Sequence, residues 1–187
     1  MYDVAGASHA LIPGKGECEF PFAVLDWHPV MRATLVALDQ WVAKGVSPPA
    51  NELMPLRTAT PDLKALGAPK HLPEALIQVP VLDRDGNATG GVRLPDLAAP
   101  LGTHAVQNPP LSFQCSLGAG YVAFAKNKAD REAANDARLS LAERYKDRNE
   151  YVNQMRAAAR DLKRKGFLMS EDAAVIINAA AESTDLK

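Results

Sequence analysis

The run Tyr2-Asp3-Val4-Ala5 reads as a short strand that breaks at Gly6 and delivers Ser8-His9 into a loop holding Pro13, Gly14 and Gly16. No other feature constrains the fold as much. A histidine carried just past the end of a strand is the arrangement of an α/β enzyme, in which loops at strand ends place chemistry on a rigid sheet. A histidine base also needs a nucleophile and an orienting acid, and residues 1–8 are too few to supply both. The expectation is the back end of an enzyme, entered close to its last catalytic residue.

A chain of 187 residues can bury a core of its own. With 47% apolar residues, 23% charged residues and a formal net charge of -1, it lacks the basic excess that nucleic-acid binding requires. No apolar run approaches the ~20 residues of a membrane span; the longest, Ala173 to Ala181, is interrupted by Asn178. Neither nucleic acid nor membrane is expected as a partner. Fourteen prolines exceed the ordinary share of about 5%, so long irregular segments are expected.

Met31, Leu35, Leu38 and Val42 recur at helical spacing, which predicts a helix over His28–Lys44 with one apolar face. Pro29 suits its first turn, and Gly45 followed by Pro48-Pro49 ends it. Residues 46–75 read as a proline-punctuated loop. Ile77–Leu82 and Gly91–Leu94 are β-like, and the Asp83-Arg84-Asp85-Gly86-Asn87 turn between them predicts a hairpin. Asp83, Asp85 and Asn87 have the spacing of a calcium loop, but its twelfth position is Leu94 instead of a bidentate Glu, which leaves the turn reading.

From Asn127 onward the chain turns helical. Ser140-Leu141-Ala142-Glu143 has capping-box spacing. Asp147–Lys165 presents Val152, Met155, Ala159 and Leu162 on one face, places Lys163-Arg164-Lys165 in its last turn and closes at Gly166. Ser170 is the expected cap of a final helix.

Gly6-Ala7-Ser8-His9-Ala10 nearly matches the nucleophile elbow G-x-S-x-G. An elbow serine is followed at once by a helix, and Leu11-Ile12-Pro13-Gly14-Lys15-Gly16 is not one. His9 is therefore the better catalytic candidate, against the alternative of a loop histidine without a role. In α/β-hydrolases the triad runs in chain order Ser, acid, His, with His last. His28, at the start of the first helix, is expected to pack or cap. His71 and His104 fall in proline-rich irregular segments without neighbouring metal-ligand spacing. No metal or other cofactor is expected. Cys18 and Cys115, 97 positions apart, are either a disulfide or two buried thiols.

At this point the residues carry a family resemblance. Val4-Ala5-Gly6-Ala7-Ser8-His9-Ala10, Arg32-Ala33 through Trp41-Val42 to Gly45, and Pro48-Pro49 resemble the C-terminal region of the large "α/β-hydrolase domain-containing" proteins. So do Val79-Pro80, Asp83 to Asn87, Gly91 to Pro95, Pro100 to Thr103, Gly118 to Ala125, Ser140 to Tyr145, and Gly166-Phe167-Leu168 with Glu171-Asp172-Ala173. The resemblance runs over roughly residues 2–182 and weakens at Trp27-His28-Pro29 and at His104 to Gln107, so it carries no substrate contact to those positions.

The resemblance implies that His9 is the triad histidine and that the serine elbow and acid lie upstream. It implies hydrolysis of a small carboxylic ester or related acyl bond. It also marks Cys18 and Cys115 as regular positions, which favours the disulfide. The expected fold class is α/β: the C-terminal part of an α/β-hydrolase-like fold, with the last strand or strands, a hairpin insertion and a helical tail. Within 1–182, residues 1–49 would form the final strand, the His loop and a core helix. Residues 50–125 would form the proline-rich segment with its hairpin, and 126–182 the helical tail. The expected partner is the upstream half of the same hydrolase, or a second copy meeting open strand edges and an apolar face of Leu35, Leu38 and Trp41. The alternative is a non-catalytic binding or partner domain, or a remnant of a split hydrolase.

Overall fold

The computed structural model describes residues 1–23, 25–60, 76–110 and 112–186, so His71 lies outside the described residues. In chain order the elements are α1 (His28–Lys44), β1 (Leu56–Ala59), β2 (Ile77–Pro80), α2 (Pro95–Ala98), β3 (Gly102–Val106), α3 (Phe113–Gly118), β4 (Gly120–Ala123), α4 (Lys128–Ala133), α5 (Leu141–Arg144), α6 (Arg148–Lys165) and α7 (Ser170–Glu182). No described helix is long and apolar enough to cross a membrane.

α6 forms where its periodicity predicts. The Asp147 carboxylate accepts the Glu150 N–H at 2.9 Å, satisfying one of the helix's unpaired donors. Gly166 closes the other end in the left-handed region, at φ 84°. Between them Tyr151, Val152, Met155, Ala159 and Leu162 are buried. α7 packs on α6. Ser170 is its first helical residue and not its cap; Met169 stands at the cap position without a side-chain bond. The charge in the first turn lies on Glu171 and Asp172, and Asp172 accepts from the Arg32 guanidinium of α1, Nε at 3.2 Å.

One core cluster joins Ala5 and Leu25 with Val92, Leu94 and Leu97 and with Ala159, Leu162 and Phe167. The segments 1–49, 50–125 and 126–182 therefore share a core. A second cluster gathers Phe124, Leu141, Tyr145, Tyr151 and Met155.

The N-terminal run makes two parallel bridges: Tyr2 bridges Glu52 and Val4 bridges Val92. Asp3 N–H donates to Glu52 O at 2.9 Å, Val92 N–H to Asp3 O at 2.7 Å, and Ala5 N–H to Val92 O at 3.1 Å. These are bridges and not long strands. The regular ladders are antiparallel, β1 with β2 (Leu56 opposite Pro80, Ala59 opposite Ile77) and β3 with β4, the latter with a register shift between Thr103 and Val106. Ala105, at φ 56°, sits at that irregularity.

Three expectations are corrected. The Asp83–Asn87 turn forms, with Asp83 N–H donating to Asn87 O at 2.8 Å and Leu82 bridging Ala88, but Ile77–Pro80 pairs with β1 and not with Gly91–Leu94. The returning arm turns at Gly91 (φ 76°) and sends Val92, 1% exposed, into the core beside Val4; burying Val92 outweighs continuing the hairpin. Leu56–Ala59 is then a strand inside the segment read as loop. Last, α1 is not a core-packing helix along its predicted stripe. It buries Pro29, Val30 and Ala33, while Met31, Leu35, Leu38, Trp41 and Val42 are exposed.

Candidate active site

His9 is exposed on the loop that leaves the Tyr2–Ala5 run at Gly6, whose φ is 69°. A side chain at Gly6 would place its Cβ 2.9 Å from Leu97 Cδ1 and 3.3 Å from His104 Cβ, so the turn into the loop is packed as tightly as it is bent. Ser8, beside His9, is 7% exposed, and its hydroxyl donates to Ala10 O at 2.8 Å. That holds the loop and leaves Ser8 turned inward. No hydrogen bond or ion pair to the His9 ring is found among the described residues.

The loop is fastened to α3 and β4. Cys18 is bonded to Cys115 of α3, their Cα atoms 5.7 Å apart, and both pack with Phe22. Ala10 N–H donates to Leu117 O, and Tyr121 N–H to Pro21 O at 2.8 Å. Asn108, 2% exposed, accepts the Phe20 N–H at 2.8 Å and donates to Phe20 O at 3.0 Å and Ala119 O at 3.2 Å. An amide that satisfies two backbone groups 88 residues away and a third 11 residues on is invisible in a sequence window.

The other described histidines stand elsewhere. His28 opens α1, where Asp26 Oδ1 accepts both its N–H, at 3.0 Å, and its Nδ1, at 2.6 Å; its ring stacks on Trp27 with centroids 4.5 Å apart. The sequence reading placed His28 at the helix start but missed its carboxylate partner two residues before it. His104 lies on β3, not in an irregular segment, and is 9% exposed. Its backbone N–H donates to Asn87 Oδ1 at 2.9 Å, and its ring leans on Tyr121 at 4.9 Å. Burial pushes the His104 imidazole down to about 4, so the ring is neutral at physiological pH.

The Asp83 turn holds His104 in place. Asp83 Oδ1 accepts the N–H of Asp85 at 2.9 Å and of Asn87 at 3.0 Å. The Asp85 carboxylate, nearly buried, receives the Arg144 guanidinium, Nη1 at 2.8 Å, and that guanidinium lies 3.9 Å over the Phe124 ring. Asn87, fully buried, donates to Gly102 O at 3.1 Å while accepting from His104. All three residues of the calcium-like spacing are thus engaged by protein donors or acceptors. Among the described residues no cluster of His, Cys, Asp or Glu could hold a metal ion.

The model of the alpha/beta hydrolase domain family matches residues 1–178. The chain belongs to that family. Comparison with curated proteins finds no match, and comparison with solved structures finds none either. In this alpha/beta hydrolase domain chain the histidine-bearing loop adjoins a cavity of about 680 Å³. Gly6 and Ala7 form part of its wall, and β1, β2 and β3 supply most of the rest. Its volume falls in the range of small-molecule pockets, which run from about 300 to 1,000 Å³.

Proposed function

We propose that this chain is the C-terminal part of an alpha/beta hydrolase fold and carries the histidine of a carboxylic-ester hydrolase site, with His9 as general base. The Tyr2–Ala5 run serves as a late strand, the Asp83 turn as an insertion and α5 to α7 as a helical tail. The observation that carries this reading is the exposed His9, on a fastened loop immediately after a run that makes two parallel bridges, in a member of this family. His9 accepts the proton of a serine hydroxyl as that oxygen attacks the ester carbonyl, then returns it to the departing alkoxide. The hydroxyl of Ser8 is turned to backbone carbonyls, so the nucleophile and the orienting acid are assigned to the upstream half of the same hydrolase.

The test uses short-chain nitrophenyl esters. The 187-residue chain alone gives no turnover; co-expressed with an upstream segment bearing a G-x-S-x-G elbow, it hydrolyses them. His9→Ala then lowers kcat by on the order of 10⁴–10⁶, because a serine without its base is a weak nucleophile. His104→Ala costs far less. Activity that survives His9→Ala and vanishes with His28→Ala moves the base to the Asp26–His28 pair, whose geometry is that of an acid orienting an imidazole.

A second reading, a non-catalytic partner domain, is favoured by the exposed apolar face of α1. A stable complex with the upstream segment that hydrolyses no ester selects it.

A further inference from the structure

The cavity beside the His9 loop is larger than the cleft of about 320 Å³ by Lys165. Val4, Met54, Ile77, Val79, Leu82 and Val106 line it, with the buried His104 among them. We propose that it is the acyl pocket of the ester hydrolase, taking an apolar group to which His104 gives one hydrogen bond. This rests on the reading of His9 as the base.

Position supports the assignment first. Gly6 and Ala7 form part of the lining, and two residues further on is His9. A Cβ at Gly6 would already press on His104, so the pocket wall and the catalytic loop are one packed unit. A group seated in the cavity therefore lies next to the segment that carries the base.

The chemistry of the lining decides the class of occupant. Aliphatic walls favour an apolar group by roughly 25 cal/mol per Å² removed from water. His104 contributes a buried polar group. Its Nδ1 is sealed from solvent and has no hydrogen-bond partner among the described residues. A neutral imidazole carries one N–H and one lone pair, and leaving a lone pair unmet inside a protein is tolerated better than leaving an N–H unmet. The proton therefore resides on Nε2, which can donate to an acceptor on the bound group. That donor is met by a carbonyl or ether-type acceptor on the apolar group, while the cation of the lining, Arg57, lies on the exposed β1.

The test titrates the 187-residue chain with prodan, an uncharged fluorophore with an apolar body and a ketone. Prodan binds one to one with a blue-shifted emission, and the His104 ring resonances in the unsubstituted protein move as it binds. Val79→Trp, which fills the cavity from the partly exposed β2, weakens binding at least tenfold; His104→Phe weakens it about fivefold, the worth of one hydrogen bond. Trp41→Glu, on the exposed α1 face, leaves binding unchanged. Unmoved His104 resonances, or binding lost in Trp41→Glu and kept in Val79→Trp, overturn the proposal. In the complex with the upstream segment, kcat/KM rises from acetate to octanoate esters, and Val79→Trp removes the rise. Hydrolysis indifferent to acyl length and to Val79→Trp overturns the pocket while leaving His9 as base. Prodan binding with no hydrolysis of any ester overturns the acyl assignment through the ester reading, and His9→Ala, which leaves prodan bound, separates the two failures.

Discussion

α1 and α6 are amphipathic helices of nearly equal length, 17 and 18 residues, and both end at a left-handed glycine. α6 turns its apolar stripe inward: Met155 and Ala159 are each 1% exposed. α1 turns its stripe outward, leaving Leu35 59% and Trp41 53% exposed, and touches the core through Pro29, Val30 and Ala33. Periodicity fixes that a segment is a helix and which residues share a face. It does not fix what that face meets. Within this chain α7, α2, Phe124 and Leu141 of α5 cover α6. The stripe of α1 finds no such cover among the described residues.

The largest effect expected separates the two helices directly. Met155→Ala removes a fully buried side chain and should cost about 2–5 kcal/mol, whereas Leu38→Ala should stay within about 0.5 kcal/mol. Urea denaturation at low protein concentration measures both. Equal costs would mean that the α1 face is covered in solution after all.

A second effect belongs to neither helix and isolates their contribution from that of β3. The His104 imidazole sits at about 4 in the folded chain, against about 6.5 in the unfolded one. Between those values the unfolded chain binds more protons, so the stabilisation is complete above pH 6.5 and is lost as pH falls toward 4. The span amounts to about 3 kcal/mol. His104→Phe should flatten the stability profile between pH 7 and 4.5. An unchanged slope would show that His104 is hydrated and titrates ordinarily.

What was legible in the sequence was local. Gly45, Gly166, Asp147 and the Ser140–Glu143 box act within one helical turn of themselves, and each stands where the pattern placed it. The exposed loop position of His9 was legible for the same reason, since the run Tyr2–Ala5, Gly6 and the loop after it occupy nine residues. What was not legible depends on distant partners. The Asp-Gly turn specifies a reversal but not that β2 will find β1. His104 is buried because Asn87, 17 residues away, takes its N–H. The loop that carries His9 is held by Asn108, 88 residues from its partner Phe20. Ser170 was expected to cap α7, yet Asp172 fills the electrostatic role there by facing Arg32.

The helix starts offer a smaller contrast. Asp147→Ala removes a side-chain cap and should cost α6 about 1 kcal/mol. α1 has Trp27 at its cap position, and the neighbouring Asp26 accepts from His28 in an exposed setting. Asp26→Ala should therefore cost less, by thermal melts of both variants at pH 7. A larger loss from Asp26→Ala would show that the N-terminal end of α1 matters more to the fold than its burial indicates.

The smallest change in stability comes with the most visible change in behaviour. Trp41→Glu and Leu35→Glu replace side chains already in water, so the melting temperature should hardly move and stability should stay within about 0.5 kcal/mol. Association should move. Two apolar faces of this width attract each other in proportion to the area they hide. The unsubstituted chain should therefore self-associate as its concentration rises, while a carboxylate at position 35 or 41 must be stripped of water to enter such a contact and should return the chain to a monomer. Light scattering over a hundredfold range of concentration measures both. If the unsubstituted chain stays a monodisperse monomer with a cooperative melt throughout, the α1 face is a tolerated surface of an autonomous domain, and α1 and α6 differ in burial without differing in purpose.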